Sequence, residues 1–385
     1  MKRAEPTRQE MLWRFMERLI RQEGADIGQP KSIRFLLWWL NLFSKGYSAV
    51  VKARAWLYDH AFMPQFPLGC QVISVGNVTA GGTGKTPVVE ILARTLTEEG
   101  RKVAILSRGY RSKKRSATER GPRIVSDGRH VLLDSEMGGD EPFMLARNLP
   151  GVAVLVDKDR VKSGRYAVAN FGSDVLLLDD GFQYRRLKHS HEIVLVDSTN
   201  PFSNGHLLPR GTLREPASHI KRADIIFMTK SNGDTALLRA RIKKLNPSAT
   251  ITECRHCPKF FKNAYSDDQI SLDALNGKKV VALSGIASPQ SFEASLQKMG
   301  ATIISRERFS DHYRYRPQEI LDIIAAADEL GADYILTTEK DAVRLPHLES
   351  PKVPIYYMRM EIEILNGYGN FKELVKKICF AEKNE

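Results

Sequence analysis

The chain has 385 residues, 42% of them hydrophobic and 27% charged, enough for two domains of ordinary size. Its net charge of +13 argues against an acidic, self-repelling chain, and four scattered cysteines exclude a disulfide framework. The charged stretch Met1–Asp26 has no apolar core of a secretory signal, and no apolar run approaches the ~20 residues needed to span a bilayer.

Residues 1–30 read as a charged, partly helical extension with an apolar set Leu12, Phe15, Met16 and Leu19. Residues 31–66 read as a helix and a Pro-containing connector. In that helix Leu36, Leu40, Phe43, Tyr47 and Val50 share one face, with Arg34, Lys45 and Lys52 opposite. With Trp38 and Trp39 added, this suits a helix lying in a membrane surface, apolar side down. The same pattern also suits a helix packed on its own domain.

Residues 67–231 alternate strand and helix patterns and are expected to form a core domain. Apolar runs at 72–75, 103–106, 152–156, 175–178, 193–196 and 225–228 predict a mostly parallel sheet with helices on both faces. The first run leads into Thr79-Ala80-Gly81-Gly82-Thr83-Gly84-Lys85-Thr86, and then a helical pattern begins. This strand, glycine turn and helix is the setting of a phosphate-binding loop. Its glycines let backbone N–H groups turn toward phosphate oxygens, and the helix start adds positive charge. Lys85 can reach the β- and γ-phosphates, and the Thr86 hydroxyl can ligate Mg²⁺. A nucleoside triphosphate is the expected ligand. The usual first glycine or alanine is replaced by Thr79.

Residues 101–129 hold ten Lys/Arg against two acids. Such a segment suits an acidic substrate, an anionic membrane or nucleic acid, but no aromatic-rich RNA module or zinc-finger spacing supports nucleic acid. Gly138-Gly-Asp140-Glu141-Pro142 puts two acids on a glycine turn before a helix. They suit either a helix N-terminus or a general base for a hydroxyl nucleophile. The run Val175–Leu178 ends in Asp179 and Asp180, placed by this architecture beside the phosphate loop to hold Mg²⁺ or its water shell. Leu208–Pro216 is a rigid loop whose Arg210 and Arg214 suit phosphate recognition.

Residues 232–275 are expected to mix short extended pieces and turns that bridge two lobes; the Cys254-x-x-Cys257 pair stands alone and suits ordinary thiols better than zinc. Residues 276–385 repeat the strand–helix alternation, with helices at 289–299 and 317–330, and are expected to form a second α/β lobe. That lobe carries His312 beside Asp311. Thr229–Asn232 and Thr338–Asp341 superficially match a guanine-reading motif, but each departs from it.

The ordered set of motifs resembles the tetraacyldisaccharide 4′-kinase family, the lipid A 4′-kinases. These are V-G-N-V-T-A-G-G-T-G-K-T-P (75–87), L-S-R-G-Y (106–110), G-G-D-E-P (138–142), L-D-D-G-F-Q (178–183), L-P-R-G-T-L-R-E-P (208–216), F-S-D-H-Y (309–313) and T-T-E-K-D (337–341). The resemblance runs from about Ser32 to near the C-terminus. It implies two α/β/α lobes around an ATP cleft. It also implies a peripheral or monotopic enzyme on the cytoplasmic face of the inner membrane, with no obligate protein partner. The implied reaction moves the ATP γ-phosphate to the 4′-hydroxyl of a tetraacylated glucosamine disaccharide 1-phosphate. By the same resemblance Asp140 is the catalytic base, working with His312, while Lys85 serves the transferred phosphate. Asp179 and Asp180 serve Mg²⁺. Asn77, Arg108, Tyr110, Glu141, Gln183, Arg214 and Glu215 are the matching substrate-cleft positions. Asp140 and His312 are expected from different lobes. Tyr184 and Tyr313 stand where the family often has histidine.

Rival readings are a P-loop switch or partitioning ATPase, a metal-insertion NTPase and a basic nucleic-acid-binding ATPase. The first would want a lysine at position 80, which is Ala80. The second would want a guanine motif and a Cys/His cluster.

Overall fold

The computed structural model describes residues 30–110, 112–113, 120–349 and 351–380, so the charged extension and its apolar set lie outside the described residues. The chain divides into two compact units. The first holds the described residues up to Leu106, Arg160–Arg255 and those from Ile364 on; the second holds Ser107–Asp159 and His256–Glu363. Residues 107–159 were expected in the 67–231 core. They cluster instead with the C-terminal strands, a long-range association that local patterning does not encode.

The first unit is built on parallel strands in the order β2 (Val103–Ser107), β5 (Val175–Asp179), β1 (Gln71–Asn77), β6 (His191–Asp197), β7 (Ile225–Thr229) and the start of β8 (Thr250–Asn263). The Val/Ile/Leu runs of β1, β2 and β5 are buried along nearly their whole length, as a sheet covered on both faces requires. Helix α2 (Lys85–Glu98) covers part of it with Val88, Val89, Leu92, Ala93 and Leu96. Register puts Val75 opposite Asp179 and Asn77 opposite Leu195, so the sheet brings the start of the glycine turn and the strand-end acids to one edge.

The second unit carries β11 (Thr302–Arg308), β10 (Lys279–Ser284), β12 (Tyr334–Thr338) and β13 (Ile355–Asn366), paired in parallel in that order. Period-2 alternation splits its core. Val280 and Ala282 pack with Phe292 and Leu296 of α7 (Pro289–Lys298), while Val281 and Leu283 pack with Ile320 and Ile324 of α8 (Pro317–Glu329). The antiparallel pair β3 (Arg123–Asp127) and β4 (Ala153–Val156) flanks α3 (Ser135–Gly138) and α4 (Asp140–Asn148) in sequence. The expected patchwork at 232–275 is more regular than its sequence suggested. It contains α6 (Ala236–Leu245) and the fourteen-residue β8, which pairs with β9 (Gln269–Ser271).

Helix α1 spans Lys31–Asp59. Leu37, Ser44 and Tyr58 are buried, and Leu40 and Tyr47 are half-buried on the same side. Ser44 donates to the Leu207 carbonyl at 2.9 Å and Tyr47 to the Arg214 carbonyl at 3.1 Å. The expected lipid-facing stripe is therefore corrected. Leu40 and Tyr47 belong to the docked face, while Phe35, Leu36, Trp38, Trp39, Leu42 and Phe43 are exposed together. No helix among the described residues is long and apolar enough to cross a membrane.

A methyl group added at Gly76 in β1 would lie 2.7 Å from Phe182 Cβ and 2.8 Å from its backbone nitrogen. Gly76→Ala is expected to lower stability by about 1–3 kcal/mol through overpacking, read as a fall in thermal midpoint.

Candidate active site

The glycine turn joins β1 to α2 with Gly81 at φ +125° and Gly84 at φ +82°, conformations that disfavour a side chain. Neighbours fix it from behind. Asn77 Nδ2 donates to Thr83 Oγ1 at 2.9 Å. Thr229 Oγ1 donates to the Thr83 carbonyl at 2.8 Å, and Lys230 Nζ to the Gly82 carbonyl at 3.0 Å and to Asp197 at 2.6 Å. The Arg-bearing loop also clasps it: Ala80 N–H donates to the Thr212 carbonyl, and Arg214 N–H to the Val78 carbonyl at 2.7 Å. These bonds hold the Val78, Gly82 and Thr83 carbonyls on protein partners, an arrangement compatible with backbone N–H groups facing an anion.

Lys85 Nζ lies 3.4 Å from Asp180 Oδ1, and Arg214 Nη1 donates to both Asp180 oxygens at 2.8 and 2.7 Å. Burial pushes the Asp180 carboxyl up, but the charges of Lys85 and Arg214 overcome it and hold it below the usual range. Asp180 sits at φ +55°, a strained conformation at the strand end that aims it at both cations. Asp179 is buried as the last residue of β5, and Thr86 is buried at the start of α2. A hydroxyl and a carboxylate are hard oxygen donors of the kind Mg²⁺ takes. The Asp180 carboxylate is engaged by two cations.

Gln183 Nε2 donates to the Asn77 carbonyl at 2.9 Å, and Arg54 of α1 donates to the Gln183 carbonyl at 3.2 Å. Two expected substrate positions turn inward. Asn77 is fully buried and braces the loop, and Glu215 is buried against His219 (2.7 Å) and Arg222 (3.0 Å). Tyr184 also has a structural partner, its hydroxyl accepting the Arg160 N–H at 3.0 Å.

The second unit holds a different constellation. Asp140 is the first residue of α4, behind Gly139 at φ +94°. Its carboxylate is not spent on the helix start. Oδ2 lies 3.2 Å from His312 Nδ1 and accepts from Arg344 Nε at 2.8 Å, and Oδ1 accepts from Arg314 at 3.3 Å. Burial raises the Asp140 carboxyl; His312 and the charges of Arg344 and Arg314 bring it below the usual range. His312 sits at φ +64°. Both belong to one compact unit and already touch, so the expectation that the pair comes from two lobes is corrected. Arg314 and Arg344 were missed by sequence reasoning. The spacing Asp341-x-x-Arg344 was the available signal. Glu141 is paired with Lys340 at 2.9 Å, Arg108 and Tyr110 are exposed, and Tyr313 donates to Glu319 at 2.8 Å at the start of α8.

Among the described residues no His/Cys/Asp/Glu cluster of three suits a metal ion. Burial pushes the Cys254 thiol up to about 12, consistent with an inert thiol.

A phosphate-cradling loop with its lysine and strand-end carboxylate, together with a separate carboxylate–histidine pair, defines a P-loop kinase. Comparison with known proteins makes this specific. The family described as tetraacyldisaccharide-1-P 4′-kinase matches residues 36–379, and the chain belongs to it. A tetraacyldisaccharide 4′-kinase of Anaeromyxobacter sp. (strain Fw109-5) is 40% identical over 324 residues, covering 83% of this chain and 86% of the relative. One from Syntrophus aciditrophicus is 40% identical over 346 residues, covering 87% and 91%. The crystal structure of LpxK from Aquifex aeolicus in complex with ATP superposes with a TM-score of 0.72 at 29% identity, covering 90% of this chain and all of the other.

Lys85→Ala and Thr86→Ala are expected to reduce turnover nearly to background, measured as phosphate transfer on folded protein. Asp180 titrates below its unfolded value of 3.8, so its contribution to stability is present above that pH and is lost as pH falls through the lower folded value. The stability gap between wild type and Asp180→Asn is expected to close on acidification below about pH 4, read from denaturation curves.

Proposed function

We propose that this chain moves the γ-phosphate of ATP to the 4′-hydroxyl of a tetraacylated glucosamine disaccharide 1-phosphate in lipid A biosynthesis. The observation that carries the reading is the family match across 36–379 joined to a P-loop whose Lys85 is held beside Asp180. Lys85 and the loop N–H groups bind and orient the phosphates. Arg214 supplies a second positive charge toward the phosphoryl group, whose transfer depends mainly on positioning and charge neutralisation. Thr86 and Asp179 would hold Mg²⁺, which when bound neutralises phosphate charge. Asp140, kept ionised by its arginines, takes the proton of the attacking hydroxyl, and His312 steadies and shares that proton.

The enzyme is placed at the cytoplasmic face of the inner membrane by this reading. What supports it is the exposed apolar face of α1, where Phe35 stands 63% and Phe43 62% exposed. Trp38 and Trp39 contact each other with ring centroids 5.2 Å apart, and Trp39 lies 6.1 Å from Phe43. Aromatic side chains of this kind favour a lipid interface, and an acylated substrate resides there.

The direct test is transfer of radiolabelled γ-phosphate to a disaccharide 1-phosphate lipid in detergent micelles. Product that depends on both ATP and lipid is expected; ATP turnover indifferent to the lipid would refute the assignment. Asp140→Asn is expected to lose ~10²–10⁴-fold in kcat with ATP affinity nearly kept, as for a lost general base. A near-normal kcat would remove Asp140 from that role. Replacing Phe35, Trp38, Trp39 and Phe43 together with serine should release the folded protein from anionic vesicles in a flotation assay, while α1 keeps its docked face. Unchanged vesicle binding would move the anchor elsewhere.

A further inference from the structure

The geometry points to Arg344 as the positioning residue of the Asp140–His312 pair: its guanidinium reaches both members in one fork and fixes the carboxylate in place for proton uptake. This rests on the reading of Asp140 as the base.

Arg344 lies in the turn after α9 (Glu339–Ala342), with its side chain 1% exposed. Two parallel donors on one side of the guanidinium face the pair. Nε donates to Asp140 Oδ2 at 2.8 Å, and Nη2 lies 3.2 Å from His312 Nδ1. The remaining nitrogen, Nη1, points the other way, to the Gly285 carbonyl and Asp341 Oδ1, each at 3.3 Å. Asp341 is fully buried and is itself fixed. It accepts from Thr338 Oγ1 at 2.6 Å, Tyr315 Oη at 3.1 Å and the Gly285 N–H at 3.1 Å. Every side of the guanidinium is therefore engaged, and its plane cannot turn without breaking a buried bond.

Nδ1 of His312 lies 3.2 Å from both Asp140 Oδ2 and Arg344 Nη2. The arginine can only donate and the ionised carboxylate can only accept, so the two make opposite demands on that nitrogen, and the firm contact of the fork is the Arg344 Nε–Asp140 Oδ2 bond. The titratable and charged groups around Asp140 are His312, Arg344 and Arg314, with Asp311 behind His312 and Asp341 behind Arg344.

Arg344→Lys and Arg344→Gln separate geometry from charge. Lysine keeps the charge but cannot span carboxylate and ring together, and glutamine removes the charge. The readout is kinetic. Arg344→Lys should lose at least ~10-fold in kcat with KM for ATP changed less than ~3-fold. Arg344→Gln should in addition move the acid limb of the kcat/KM profile up by about one pH unit, because Asp140 loses a charge that keeps it ionised. If Arg344→Gln does not fold, the lysine variant decides. Wild-type kcat in folded Arg344→Lys would overturn the proposal. A normal kcat in Asp140→Asn would overturn the base instead, and the kcat-against-KM split in Arg344→Lys would still report on Arg344.

Discussion

The Asp180 carboxylate, shared between Lys85 and Arg214, is the interaction around which the phosphate loop of the first unit is arranged. Two cations brought together at the mouth of a phosphate loop repel each other and must be desolvated. One half-buried anion just past β5 offsets both costs and fixes their direction. The sheet makes this work: β1 and β5 are direct parallel neighbours, and β5 ends opposite Val75, two residues before β1 feeds the loop. Because Arg214 sits on a loop that is bonded to Val78, the same carboxylate ties the loop after β1 to the Pro/Gly loop at 208–216.

That arrangement reaches outward to α1. Tyr47 donates to the Arg214 carbonyl, and Arg54 to the Gln183 carbonyl, so the helix with the exposed aromatic face is hydrogen-bonded to the backbone of two site residues. In the second unit the logic recurs with other residues: Arg344 serves Asp140 and His312 as Asp180 serves Lys85 and Arg214. Asp180, Lys230 and His312 all sit at positive φ, unusual for non-glycine residues and found where the surroundings over-determine a conformation.

Much of this was legible in the sequence, for definite reasons. A glycine turn between a β-branched run and a helix has few other uses, and strand-end acids fall beside it once the sheet is parallel. The strands themselves were readable because buried parallel strands are continuous apolar runs. What was hidden depends on tertiary partners. The periodicity of α1 shows an apolar helix but not which side docks, so Leu40 and Tyr47 were assigned to the wrong face. Asn77 and Glu215 are polar residues within motifs, and only packing shows that they brace rather than line the site. Thr229 and Lys230 looked like a failed base-reading motif and turn out to hold the phosphate loop. Arg344 lies three residues past the T-T-E-K-D motif, and nothing in the spacing ties it to an acid two hundred residues earlier.

Asp180 restrains Lys85 and Arg214 electrostatically and is not what binds the nucleotide. Calorimetric titration of metal-free ATP into wild type and Asp180→Asn tests this directly. Removing the anion frees both cations, so the variant should bind ATP as tightly as wild type or more tightly. A large loss of ATP affinity in the folded variant would contradict it.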